Sequence, residues 1–270
     1  MPTLSVLIED TASDPKFACE HGLSLFLEHG DSVILFDVGE TGACIGNAAR
    51  MGCDLSRVTD IVLSHGHHDH CNGLARTLRH MKKESPPVLC HPDLLVCRHK
   101  IIDGVRKDVG VEPESRAELA DWSVRFSREP VFLRDDVIYL GEIERTRPDL
   151  CPTTGLIDGP DGPESDPQYD DTALAYITSK GLVVIAGCSH SGIVNIVEQA
   201  RRLSGVNRVH GVYGGLHCRG MNEHMLRETR TYLDGLDLME LWGGHCCDGA
   251  LNDHPVSITL GSGSVHRILV

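Results

Sequence analysis

The chain has 270 residues, enough for one large domain with a sizeable buried core. Apolar residues make up 41% and charged ones 24%, which excludes a disordered chain; the longest apolar runs, SVILF and GLVVIAG, are strand-sized and fall far short of the roughly 18 residues of a membrane span. The formal charge of −14, without any basic block, excludes a surface built to track a nucleic-acid backbone.

In chain order, TLSVLIED, GLSLFLEH and DSVILFDVG are rich in Val, Ile, Leu and Phe and read as consecutive strands. TGACIGNAARMG has helical character with a glycine stop, and VTDIVLSHG is a buried strand. NGLARTLRHMKK predicts a helix and PPVLCHP a short strand. Residues 93–135 are charged and weakly patterned and predict a helix with connecting loops, while 147–170, crowded with Pro, Gly and Asp, reads as a loop. The pattern then recurs: strands in TALAYITS and GLVVIAGCSH, a helix in SGIVNIVEQARRLSG, a strand in VNRVHGVYGGLH. A helix in NEHMLRETRTYLDGL, a strand and turn in LMELWGGHCC and closing strands in VSITLGSGSVHRILV complete the chain. Two similar halves, roughly 1–140 and 141–270, with no linker between them, predict one α/β domain in which two mixed sheets pack with helices outside.

The N-terminal MPTLSVLIED lacks the basic start and long apolar stretch of a secretory signal, so a cytoplasmic protein is expected. Eleven cysteines, an odd count in a large chain, then read as reduced thiols rather than a disulfide framework. Cys246 and Cys247, adjacent and therefore poor disulfide partners, stand beside His245 as a candidate metal-binding pair.

The densest chemistry lies in LSHGHHDHCNGL, residues 63–74. His65 and His67 are two apart, so an extended segment points both rings to one side, where they can hold one ion. Asp69 and His70 follow after the chain turns and can reach a second ion. Mixed imidazole and carboxylate donors suit zinc first, with manganese or iron as alternatives. His68 is expected to point away. A polar loop with solvated histidines is the competing reading, and the repeated spacing at the end of an apolar strand argues against it.

The series His65-x-His67-x-Asp69-His70, with its lead-in FDVG, resembles the signature of the metallo-β-lactamase superfamily. The stretches GCSHSGIVNI, GVYGGLH and GHCCDGA further resemble a branch of dihydropterin-type synthases of methanopterin biosynthesis. The resemblance implies a four-layer αββα sandwich with two divalent metal ions at one edge. The sequence departs from the superfamily pattern in one respect: no histidine occurs between His99 and His190, so the usual third ligand of the first ion is missing. His190 is the expected replacement. Cys188 stands where a bridging aspartate is usual and is either a soft ligand or a buried structural thiol. His245 is expected to complete the second ion, leaving His217 for substrate or proton transfer.

The expected ligand sets are therefore His65, His67 and His190 for one ion and Asp69, His70 and His245 for the other, with Asp69 and His217 as catalytic residues. Asp37 is expected to orient a metal-bound histidine, with capping of the next turn as its alternative. Asp171 reads as a surface turn. His91 is undecided, and His21, His29, His80, His99, His210, His224, His254 and His266 read as surface or packing residues. The resemblance implies an enzyme acting on a small phosphorylated or pterin-like molecule, by hydrolysis or by displacement of phosphate or diphosphate. A non-catalytic ligand sensor and a di-iron redox protein are the alternatives; Asp69 and the lack of an attached flavin-binding domain argue against the second. The expected partner is a small molecule, not a nucleic acid or a membrane, and a homo-oligomer is left open. Lactam hydrolysis is not expected without an export signal.

Overall fold

The computed structural model describes residues 2–81, 86–152 and 155–268. Lys82, Lys83, Leu269 and Val270, expected at the ends of a helix and of the closing strands, lie outside them.

The expected meander is present as β1 (Thr3–Ile8), β2 (Ser24–His29) and β3 (Ser32–Phe36). Helix α1 (Ala43–Met51) lies between Gly42 and Gly52, both left-handed, and β4 (Asp60–Val62) leads into the histidine motif. That motif turns into the short helix α2 (His68–Cys71), followed by α3 (Leu74–Met81) and β5 (Val88–Cys90). Residues 93–135 hold more than the predicted helix and loops. They form β6 (Arg98–Ile102), β7 (Val105–Asp108), α4 (Pro113–Ala120), β8 (Val124–Phe126) and β9 (Val131–Arg134). Beyond β10 (Val137–Tyr139), the predicted loop 147–170 contains a hairpin, β11 (Leu156–Gly159) and β12 (Gly162–Ser165). Next come β13 (Ala173–Thr178), β14 (Gly181–Ala186), α5 (Ile193–Ser204), β15 (Val209–Gly214), α6 (Glu223–Asp234) and β16 (Glu240–Gly243), all where the sequence predicts them. Among the described residues the closing segment contributes β17 (Val265–Arg267).

The chain forms two compact units of interleaved segments: Met1–Phe126 with Thr154–Pro167 and Gly261–Leu269, and Ser127–Thr153 with Gln168–Leu260. The first carries a seven-stranded mixed sheet in the order β17-β1-β2-β3-β4-β5-β8, antiparallel as far as β3 and parallel from there on. It also carries a four-stranded antiparallel sheet, β12-β11-β6-β7. The second unit carries a six-stranded mixed sheet, β16-β15-β14-β13-β10-β9, in which β14, β15 and β16 are parallel.

Burial explains the sequence patterns. Every residue of β3 and β14 is buried, as expected where parallel neighbours and covering helices leave neither face in water. In the first unit Leu35, Ile61, Leu63, Leu78 and Val88 share a core, with α1 packed on β1. In the second, Val184, Ile196, Val212 and Leu241 do so, with α5 packed on β13 and β14. No helix among the described residues is long and apolar enough to cross a membrane.

Candidate metal centre

In the first unit β3 and β4 are parallel neighbours, so their C-terminal ends lie side by side and bring Asp37 next to Ser64. Both are fully buried. The Ser64 amide and hydroxyl donate to the two Asp37 oxygens, each at 2.7 Å. His70 Nδ1 lies 2.8 Å from Asp37 Oδ2, and Ser64 Oγ lies 2.9 Å from His65 Nδ1. Oδ2 of this carboxylate accepts, so it fixes the proton of His70 on Nδ1 and leaves the lone pair on Nε2. His65 Nε2 faces His67 Nδ1 at 3.1 Å, and the His65 and His70 rings are 4.2 Å apart. Asp69 Oδ2 is 3.7 Å from His70 Nε2. His65, His67, Asp69 and His70 are thus brought together, all at most 6% exposed. His68 points away, with Nδ1 3.2 Å from Glu40.

Two glycines shape this group. A Cβ on Gly66 would stand 1.9 Å from the Leu94 carbonyl, and one on Gly22 would stand 2.3 Å from that of Asp69. Beside this contact His21, exposed as expected, lies 3.4 Å from Asp69 Oδ2 and 3.1 Å from Asp10 Oδ2. No spacing rule links His21 to Asp69; the only local signal was the glycine after it.

In the second unit, the C-terminal ends of the parallel strands β14, β15 and β16 share one sheet edge, the usual place for a site in such sheets. Cys188 and His190 follow β14, His217 follows β15, and His245 and Cys246 follow β16. The donor atoms of Cys188, His190 and His217 lie within 4.8 Å of one another, as do those of Cys188, His245 and Cys246. Cys188 belongs to both groups. It is 2% exposed, with its sulfur 3.4 Å from that of Cys246. Burial pushes the Cys246 thiol up, while hydrogen bonds from Cys218 and Cys246 hold the Cys247 thiol down.

The Gly214-Gly215 pair lets β15 close on its neighbour. Cβ atoms there would stand 2.0 Å from the Ala186 carbonyl and 2.3 Å from that of Gly187, and Gly214 has φ of 115°. Gly214→Ala is expected to lower stability by about 1–3 kcal/mol in urea denaturation, since backbone cannot yield as a side chain can. Four non-glycine residues near these donors adopt left-handed backbone: Asp37 (φ 57°), Ser189 (61°), His217 (46°) and Cys246 (62°). Such conformations gather where a site must aim side chains.

The donor chemistry fits divalent metal. Buried imidazoles and a carboxylate are grouped in one unit, imidazoles and thiols in the other, and the buried His217 Nδ1 has no hydrogen-bond partner among the described residues. The His190 and His217 rings are 4.5 Å apart. Asp171 is buried rather than a surface turn, and it accepts hydrogen bonds from the Ser191 amide (2.8 Å) and hydroxyl. His91 Nδ1 accepts from the Asp93 amide at 3.1 Å.

A family model of the metallo-beta-lactamase superfamily matches residues 18–203. The chain belongs to this superfamily. It is 30% identical over 252 residues to the 7,8-dihydropterin-6-methyl-4-(beta-D-ribofuranosyl)-aminobenzene-5'-phosphate synthase of Methanocaldococcus jannaschii, covering 89% of this chain and 85% of that one. It is 28% identical to the uncharacterized protein MJ0448 of the same organism, covering 87% and 86%. A solved metal-dependent hydrolase of the β-lactamase superfamily, Tm1679, superposes with a TM-score of 0.83 over 99% of both chains at 23% identity. The metallo-β-lactamase fold expected from the sequence is therefore the fold observed, and proteins of this superfamily are typically metal-dependent enzymes.

Proposed function

We propose that the chain is a metal-dependent enzyme with a dinuclear centre, acting on a small phosphorylated or pterin-like molecule by hydrolysis or by synthase-type displacement of phosphate or diphosphate. The observation that carries this reading is the held donor group after β4, where Asp37 and Ser64 fix the outer nitrogens of His70 and His65. The substrate class rests on the name of the M. jannaschii relative. The proposed ligands are His65, His67 and His190 for one ion and Asp69, His70 and His245 for the other, with zinc preferred and manganese or iron next.

When bound, such ions lower the pKa of water toward neutrality and polarise a phosphoryl or carbonyl oxygen. Asp37 keeps His70 in the tautomer with its Nε2 lone pair available. Asp69, besides its place among the ligands, accepts a proton or hydrogen bond through the carboxylate oxygen that His21 approaches. His217 has a free Nδ1 at which to take the proton released by an attacking water or amine. The partner is a small molecule, and the cytoplasm is the proposed location.

The test is turnover of a panel of phosphoesters by protein loaded with zinc or manganese. Phosphate released from simple esters supports hydrolysis. Release that requires an aromatic amine acceptor supports displacement. Tight ligand binding without any turnover, in protein of full metal content, overturns the catalytic reading in favour of a sensor.

A further inference from the structure

The segment between β10 and β14 holds a cation, Arg145, that no carboxylate answers among the described residues. The arginines near Arg145 in sequence or space are neutralised: Arg147 by Asp149 at 2.8 Å, Arg128 by Glu142 at 2.6 Å and Arg202 by Glu144 at 2.9 Å. Arg145 has no carboxylate partner among the described residues, in a chain whose net charge is −14. Its Nη2 donates to the Gln168 carbonyl at 2.9 Å, and its guanidinium lies over the Tyr169 ring, 5.0 Å from the centroid. Its Nε is buried and has no hydrogen-bond partner among the described residues. A buried guanidinium donor without an acceptor is costly, and it signals a partner that arrives from outside.

The backbone on both sides of Arg145 is fixed. Gln199 of α5 accepts from the Glu144 amide at 2.9 Å. Asn195 of the same helix accepts from the Arg147 amide at 2.8 Å and the Thr146 hydroxyl at 3.1 Å, and donates to the Arg147 carbonyl at 3.0 Å. Two largely buried amide side chains thus hold a short loop whose Arg145 contributes nothing to the core. This is pre-organisation of the residue it carries. Tyr169 is held equally well. Gln168, in left-handed backbone at φ 51°, turns the chain so that Tyr169 is half exposed, and two residues on Asp171 is tied to Ser191, the neighbour of His190. Cys151 completes the link: its sulfur lies 3.1 Å from the Ser191 carbonyl, and Arg145 is the largest influence lowering a thiol that burial raises.

We propose that Arg145, stacked on Tyr169, is the recognition site for a phosphoryl group of the substrate, placed on the same unit as His190. The planar guanidinium offers the donors it does not spend on Gln168 to phosphoryl oxygens, while Tyr169 holds its plane. The proposal rests on the reading above for the substrate's phosphate, but not for the metal.

The experiment is titration of metal-loaded protein with inorganic phosphate by calorimetry, with metal content and melting temperature measured on every variant. Arg145→Gln is expected to weaken phosphate binding by at least about tenfold with metal content unchanged, because a charge-assisted pair is lost. Arg145→Lys keeps the charge but not the fork, and is expected to recover only part of the affinity. Tyr169→Leu, at a half-exposed position, is expected to weaken binding several-fold. Wild-type phosphate affinity in Arg145→Gln overturns the proposal, as does loss confined to variants whose melting temperature has collapsed. Wild-type protein that takes up no metal yet binds phosphate through Arg145 keeps this site and overturns the metal reading instead.

Discussion

His190→Ala is expected to reduce the metal content from two ions per chain to one or fewer, and to reduce turnover by more than the about 10–100-fold typical of losing a partner that touches only a ligand. His190 is 2% exposed, follows the left-handed Ser189 and shares its donor group with Cys188 and His217. Removing the ring takes away a nitrogen donor and leaves a cavity that alanine cannot fill. Elemental analysis after gel filtration reads the result. An unchanged two ions per chain sinks the assignment of His190 and passes the position to His217 or Cys188. His217→Ala is the discriminating partner to this experiment. It is expected to keep both ions and to lose about 10²–10⁴-fold in turnover, the range of a lost proton-transfer group.

Asp37→Ala is expected to cost about 3–5 kcal/mol of stability, because it strips a buried group of donors of their acceptor. Three donors converge on that carboxylate: the Ser64 amide and hydroxyl and His70 Nδ1. Asp37→Asn separates structure from function. The amide oxygen can still accept from the Ser64 amide, so less stability is lost in urea denaturation. Its NH₂ must then donate where Oδ2 accepted, which turns His70 Nδ1 into an acceptor and moves the ring proton to Nε2. The nitrogen proposed to bind metal is blocked, and metal affinity is expected to fall about 10–100-fold, measured by competition with a chromophoric chelator. Equal metal affinity in Asp37→Asn and the parent would show that His70 does not use Nε2.

Cys188, which follows β14 in GCSH, sits in both donor groups of the second unit. A thiol there offers one soft donor atom, where a carboxylate would offer two hard ones.

The core strands and helices were legible because each buries one face or both. SVILF and GLVVIA are continuous apolar runs, and α1 and α5 carry their glycine stops, so local chemistry and tertiary demand agree. The four-stranded sheet was not legible. All residues of β7 and β12 are exposed, so no alternation of apolar and polar residues marks them as strands. Asp103-Gly104, with φ of 54° and 74°, was the one overt hairpin signal in the first of these two hairpins.

The same division holds for the site. The sequence by itself determined the donors after β4, since His65, His67, Asp69 and His70 lie within six positions of one another and adjacent strand ends need no long-range information. It also placed His190, His217 and His245 at the ends of strands. Only the tertiary structure decided which of these share a donor group, that Asp37 holds His70 through Oδ2, and that His21 reaches Asp69. It alone buried Asp171 and left Arg145 Nε without a hydrogen-bond partner among the described residues. Parallel strand order and left-handed turns bring residues far apart in sequence to one sheet edge, and neither feature leaves a periodic trace in the chain that it folds.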